Sequence, residues 1–128
     1  MSERSARPAK VLVVDDNRDA AATLSFLLGA AGYEVRTCFG AAEALAEAGS
    51  FGPDACVLDI NMPEMDGYEL ARQLRATFAD HQPVLATVTG YGDFGHLDRA
   101  AEAGFDLHFQ KPADAREVAE QLRACIEH

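Results

Sequence analysis

The chain has 128 residues, 48% of them hydrophobic, and a formal net charge of -10. That length fits one domain whose core needs neither disulfides nor a structural metal. So acidic a chain is a poor partner for nucleic acid or an anionic membrane surface, both of which call for clustered positive charge, and no apolar run approaches transmembrane length.

Residues 1–9 read as a short disordered lead and residues 10–128 as a single domain. The lead has no apolar segment of the signal-peptide kind, so the cytoplasm is the expected compartment. Cys38, Cys56 and Cys125 are odd in number and none stand at redox or zinc spacing, so reduced and mostly buried thiols are expected.

Val11-Leu12-Val13-Val14 is a continuous apolar run rich in β-branched residues, the mark of a strand covered on both faces, and Asp15-Asp16-Asn17 follows its end. From Arg18 the period becomes helical, with Leu24, Leu27, Leu28 and Ala31 on one face and Gly32 as the stop. Glu34 to Cys38 alternates polar and apolar, as a less completely covered strand does. Ala41 to Ala48 is a short alanine-rich helix between Gly40 and Gly49.

Ala55 to Leu58 is a second all-apolar strand, and it ends abruptly in Asp59. After a turn through Met62-Pro63 and Asp66-Gly67, Leu70, Ala71 and Leu74 give a third helix its stripe. Val84 to Val88 is a further buried strand with Thr89 at its end. A loop at Gly90-Tyr91-Gly92 leads to a fourth helix from Leu97 to Ala103, closed by Gly104. Leu107 to Gln110 alternates again before Lys111-Pro112. Asp114 and Glu117 form a capping-box start for the last helix, with Val118, Leu122 and Cys125 inward.

Five strands alternating with five helices call for a parallel sheet with right-handed crossovers and helices on both faces. Strands one, three and four read as internal, two and five as edges. The order 2-1-3-4-5 satisfies this, giving an α/β, flavodoxin-like (βα)5 doubly wound fold with a five-stranded parallel sheet. Ligands in such sheets bind at the carboxyl ends of strands where the winding reverses, between strands one and three, and Asp15, Asp16 and Asp59 all fall there.

Three carboxylates at one sheet edge repel each other and destabilise the empty site unless a cation neutralises them. A hard divalent ion with oxygen ligands answers this, and Mg²⁺ fits because it takes a few carboxylates and keeps positions for water and phosphate oxygens. Thr89 can donate a hydroxyl hydrogen bond and Lys111 a positive charge to the same oxygens. Phosphoryl transfer asks mainly for positioning and charge stabilisation, which these side chains supply.

With those residues in order, the chain resembles a response-regulator receiver domain along essentially its whole length. The likeness rests on Asp15-Asp16 after strand one, Leu58-Asp59 followed by Met62-Pro63 and Met65-Asp66-Gly67, Thr89-Gly90 after strand four, and Lys111-Pro112 after strand five. The resemblance implies that Asp59 takes a phosphoryl group from a phosphohistidine on a sensor histidine kinase or histidine phosphotransfer protein. It implies that Asp16 and Asp59 bind Mg²⁺ directly, Asp15 through water and Asn61 through its backbone carbonyl, while Thr89 follows the phosphoryl group. The chain would then be a signalling receiver of a two-component or phosphorelay system that assists its own phosphorylation and dephosphorylation. Its switching face would be the fourth helix, fifth strand and fifth helix. The resemblance allows a homodimer.

Thr89-Gly90-Tyr91-Gly92, Gly104-Phe105-Asp106 and His108 resemble the receivers attached to hybrid histidine kinases more than those of transcription factors. His108 departs from the Tyr or Phe that many receivers place three residues before the lysine.

Other readings stand beside this one. Asp15-Asp16 could simply cap the first helix, Asp66-Gly67 reads as a turn alone, and His81, His96 and His128 read as surface residues. A Mg²⁺-dependent phosphohydrolase of the haloacid-dehalogenase type usually carries a second Asp two residues after its nucleophile, where this chain has Asn61. A flavin-binding protein would not place Asp15-Asp16 in its phosphate loop. A degenerate receiver would lack part of the site, and all five side chains are present.

Overall fold

The computed structural model describes residues 8–60, 67–78, 80–89, 104–111 and 113–127, with Thr89 described by its backbone. Five strands, β1 (Lys10–Val14), β2 (Glu34–Cys38), β3 (Ala55–Asp59), β4 (Val84–Thr89) and β5 (Leu107–Gln110), form one sheet in the order β2-β1-β3-β4-β5. Every neighbouring pair is parallel. The described helices are α1 (Arg18–Ala30), α2 (Ala41–Phe51), α3 (Gly67–Thr77) and α4 (Ala115–Ile126). The helix expected from Leu97 to Ala103 lies outside the described residues, as do residues 1–7 of the lead. Ala9, at the end of that lead, already packs on the core and accepts a hydrogen bond from the Glu34 N–H at 2.9 Å.

The doubly wound arrangement follows from strand alternation. Leu12, Val14, Cys56, Leu58 and Leu85 point to one side, where they meet α2 and α3 through Ala44, Ala48, Phe51, Leu70 and Leu74. Val11, Val13, Val57, Ala86, Val88 and Phe109 point to the other, where α1 and α4 cover them with Ala21, Leu28, Val118 and Leu122. The inner strands must be apolar on both faces. The edge strand β2 alternates exposure, and so does β5.

Three helices depart from the sequence expectation. α2 does not stop at Ala48 but runs on to Phe51, because Phe51 buries its ring in the core at 3% exposure. Gly52 then takes the left-handed φ of 65° that ends the helix, its N–H bonded to the Ala48 carbonyl at 3.0 Å. The buried face of α1 is set by Ala21 and Leu28 with Leu24 beside them. Leu27 lies about 100° around the helix from Leu28, and it is 44% exposed, with Phe26 at 76%. In α4 the inward stripe is Val118, Ala119, Leu122 and Ile126, and Cys125 is only partly covered.

Cys38, Cys56 and Cys125 are all free. Burial pushes the thiols of Cys38 and Cys56 up to about 12, so both stay neutral in the folded chain. No described helix is long and apolar enough to cross a membrane.

Candidate functional site

β1 delivers Asp15 to the carboxyl edge of the sheet, and two hydrogen bonds fix it there. The Asp15 N–H donates to the Cys38 carbonyl at 3.1 Å, and Asp15 Oδ1 accepts from the Asn17 N–H at 2.9 Å. The cap of α1 is Asn17, whose Oδ1 accepts from the Ala20 N–H at 3.1 Å. The capping role considered for the aspartate pair therefore belongs to the next residue, and Asp15 keeps Oδ2 turned to the site. Asp15 is 8% exposed, while Asp16 is exposed.

Asp59 is the last residue of β3 and is 3% exposed. Its carboxylate oxygen and those of Asp15 and Asp16 lie within 4.8 Å of one another. Lys111, just past β5, reaches back so that Nζ stands 3.2 Å from Asp59 Oδ2 and 3.8 Å from Asp15 Oδ2. One lysine against three carboxylates leaves the cluster in excess of negative charge. That excess is what a divalent cation would neutralise. An octahedral Mg²⁺ shell is about 4.2 Å across, close to the separation of these oxygens, so Asp15, Asp16 and Asp59 fit the ion in chemistry and in reach.

Thr89 ends β4, next to the Asp59–Val88 register pair, and its side chain lies outside the described residues. Asn61 and Pro112 also lie outside them, as do Met62, Pro63, Met65 and Asp66 of the turn. Of the histidines, His81 is exposed, His108 is exposed on β5, and His96 and His128 fall outside the described residues.

Gly67 has a role that the sequence reading took for a turn alone. It opens α3, and its N–H donates to the Ile60 carbonyl at 2.8 Å. A Cβ there would meet Ile60 Cα at 2.8 Å and the Asp59 carbonyl oxygen at 2.9 Å, both backbone atoms. Only glycine lets α3 start so close behind Asp59. The Asp-Gly pair announced a glycine of consequence; the approach itself is tertiary and has no local signature.

A cleft of about 690 Å³ extends from Asp15, Asp59 and Lys111 along α1 to Leu24 and Leu27, floored by Val13, Val57 and Val88. Its outer lip carries the exposed Leu27. The acidic site thus opens into an apolar trough, which the sequence reading missed by assigning Leu27 to the core.

A family model described as "Response regulator receiver domain" matches residues 11–123. The protein named "Response regulator MprA" from Mycolicibacterium vanbaalenii is 37% identical over 119 residues, which cover 93% of this chain and 51% of that protein. The chain therefore spans about half the length of the curated relatives it matches. Among solved structures, a putative response regulator from Chloroflexus aurantiacus superposes with a TM-score of 0.88 at 30% identity, covering 95% of this chain and all of that one. A response regulator receiver domain protein from Methanospirillum hungatei gives a TM-score of 0.85 at 26% identity, covering 94% of each chain.

Proposed function

The chain belongs to the response-regulator receiver domain family of two-component signalling proteins, and from that premise we propose that Asp59 is its phosphoacceptor. The donor is a phosphohistidine on a sensor histidine kinase or histidine phosphotransfer protein. An Asp59 carboxylate oxygen attacks phosphorus, the N–P bond breaks, and the departing imidazole nitrogen keeps the electron pair and takes up a proton. The product is an acyl phosphate on Asp59.

The observation that carries this reading is the Lys111–Asp59 contact of 3.2 Å beside two further carboxylates. Lys111 holds one Asp59 oxygen and offers positive charge where phosphoryl oxygens gather. Asp16 and Asp59 would hold the ion directly, Asp15 through water and Asn61 through its backbone carbonyl. Bound Mg²⁺ would offset the negative charge that the site and the phosphoryl group share. Thr89 donates its hydroxyl to the phosphoryl oxygens and follows them, passing the change to the face that includes β5 and α4. The apolar trough beside α1, with Leu27 at its lip, supports docking of an amphipathic donor helix that brings its phosphohistidine to Asp59. The same reading places the chain in the cytoplasm beside its donor.

The test is transfer from a phosphorylated histidine phosphotransfer domain in the presence of Mg²⁺. The label should move to this chain in a single stoichiometric turnover and fail to move to Asp59→Asn. Repeated turnover of small organic phosphates with Asp59 as nucleophile would favour a phosphohydrolase instead.

A further inference from the structure

The outer face of α1 has no charge on it. From Ala20 to Tyr33 every residue is uncharged, in a chain that is 25% charged. A helix lying on a sheet ordinarily turns charged and polar side chains to water on its far side. At 100° per residue, Ala22, Phe26, Gly29 and Ala30 share that far side of α1, and all four are exposed. Phe26 keeps 76% of its surface open, and it and Leu27 are the exposed large hydrophobics among the described residues. Its ring is a single knob among small neighbours.

A hollow lies beside the knob. Ala30 and Ala31 at the end of α1, with Ala115 and Ala119 on α4, line an open depression of about 700 Å³ that also reaches Leu27. Two contacts brace its walls. The Tyr33 hydroxyl donates to the Ala119 carbonyl at 2.7 Å, and Arg123 Nη2 donates to the Ala31 carbonyl at 3.1 Å. The depression is therefore formed before anything enters it. The charges at its rim, Asp114 and Glu120 against Arg116 and Arg123, cancel.

We propose that this face pairs with a second copy of the chain, α1 against α1 in antiparallel sense, with each Phe26 seated in the other copy's hollow. Knob and hollow adjoin on one surface, since Phe26 and Ala30 are one helical turn and about 6 Å apart. A single two-fold axis between them therefore fills both hollows at once, as a self-complementary interface requires. Two chains of net charge -10 repel each other. An uncharged face beside a rim of cancelling charge lets them meet without setting carboxylate against carboxylate. Gly29 and the alanines let the two backbones come close, and a Cβ on Gly29 would meet nothing of its own chain within 4 Å. Paired helices of about 20 Å bury less than an obligate dimer does, so a dissociation constant above about 1 μM is expected. Leu27 lines both this hollow and the trough that leads to Asp59. A second copy and a donor helix therefore compete for α1, a consequence that rests on Asp59 being the phosphoacceptor.

Sedimentation equilibrium of the full chain from about 1 μM to about 1 mM should show monomer passing to dimer. Phe26→Ser and Gly29→Arg should stay monomeric over the same range, and at its dilute end both should melt within a few degrees of wild type. Gly29→Arg replaces a helix-weakening glycine and puts positive charge near the end of α1, so a folding defect does not stand in for the lost dimer. A wild type that stays monomeric throughout overturns the proposal, as does a dimer that persists in both variants. A monomeric wild type in which Phe26→Ser slows transfer from a phosphorylated histidine phosphotransfer domain gives the face to the donor instead. As the wild-type chain passes into dimer, transfer from that domain should slow per chain while labelling by a small phosphodonor does not. A rate that ignores dimer formation, or falls equally with both donors, overturns the competition. A small phosphodonor that never labels Asp59 overturns the receiver reading and leaves the dimer standing.

Discussion

Replacing Lys111 with methionine keeps most of the apolar stem and removes the charge, leaving Asp59 and Asp15 facing each other without their shared cation. At an effective dielectric of about 20, the separations of 3.2 and 3.8 Å correspond to about 5 and about 4 kcal/mol of attraction. Most of this does not survive as stability. The Lys111 side chain is 35% exposed, so water screens both contacts, and part of the remainder offsets the desolvation of Asp59. A net loss of about 2 kcal/mol is expected for Lys111→Met without metal. Saturating Mg²⁺ should recover much of it, because the cation takes over neutralisation of the same carboxylates and binds the folded state preferentially. Urea denaturation followed by circular dichroism, with and without Mg²⁺, reads both quantities. A metal-free Lys111→Met chain at least as stable as wild type would refute the view that Lys111 holds the acidic cluster together.

Gly67→Ala should cost about 1–3 kcal/mol in the same denaturation assay, since its Cβ meets backbone on two sides and α3 must retreat from Asp59. It should also slow phosphorylation by small donors. Leu27→Ser should cost no more than about 1 kcal/mol, because the side chain that lines the cleft is 44% exposed. It should slow transfer from a phosphohistidine protein while small phosphodonors still label the chain at the wild-type rate. Thiol labelling of the native protein at mildly alkaline pH should modify Cys125 and spare Cys38 and Cys56. The unfolded chain ionises its thiols near ~8.5, well below the folded value, so the stability contributed by these two neutral thiols is complete below that pH. It is lost as pH rises through about 12, and Cys38→Ala with Cys56→Ala should flatten that part of the alkaline stability loss.

Strand order was legible because burial is written twice in the sequence, once as continuous apolar runs in β1, β3 and β4 and once as alternation in β2 and β5. Asp15, Asp16 and Asp59 could be placed together because each stands at a strand end, and the 2-1-3-4-5 order brings β1 beside β3. The aim of Lys111 toward Asp59 could be expected from its position after β5, although its distance could not. What escaped sequence reasoning depends on contacts made across the fold. Gly49 looked like a helix stop, but the burial of Phe51 outweighs one glycine in α2. Leu27 fits an apolar helical period and still faces outward, because the sheet covers only the Ala21–Leu28 side of α1. Gly67 matters through its close approach to the backbone of Asp59 and Ile60, which no local pattern announces. The relatives named above are response regulators, and the likeness to hybrid-kinase receivers rests on the short segments around Thr89, Gly104 and His108, of which 90–103 lie outside the described residues.

The central claim is that one carboxylate, Asp59, accepts phosphate in a site that needs its neighbouring acids and a divalent cation. Borohydride trapping of the acyl phosphate after reaction with a small phosphodonor, followed by peptide mass spectrometry, tests it most directly. The reduced residue should map to Asp59 alone, require Mg²⁺, and fall away in Asp16→Ala. Trapping at another residue, or equal trapping at Asp59 without any divalent cation, would contradict the account.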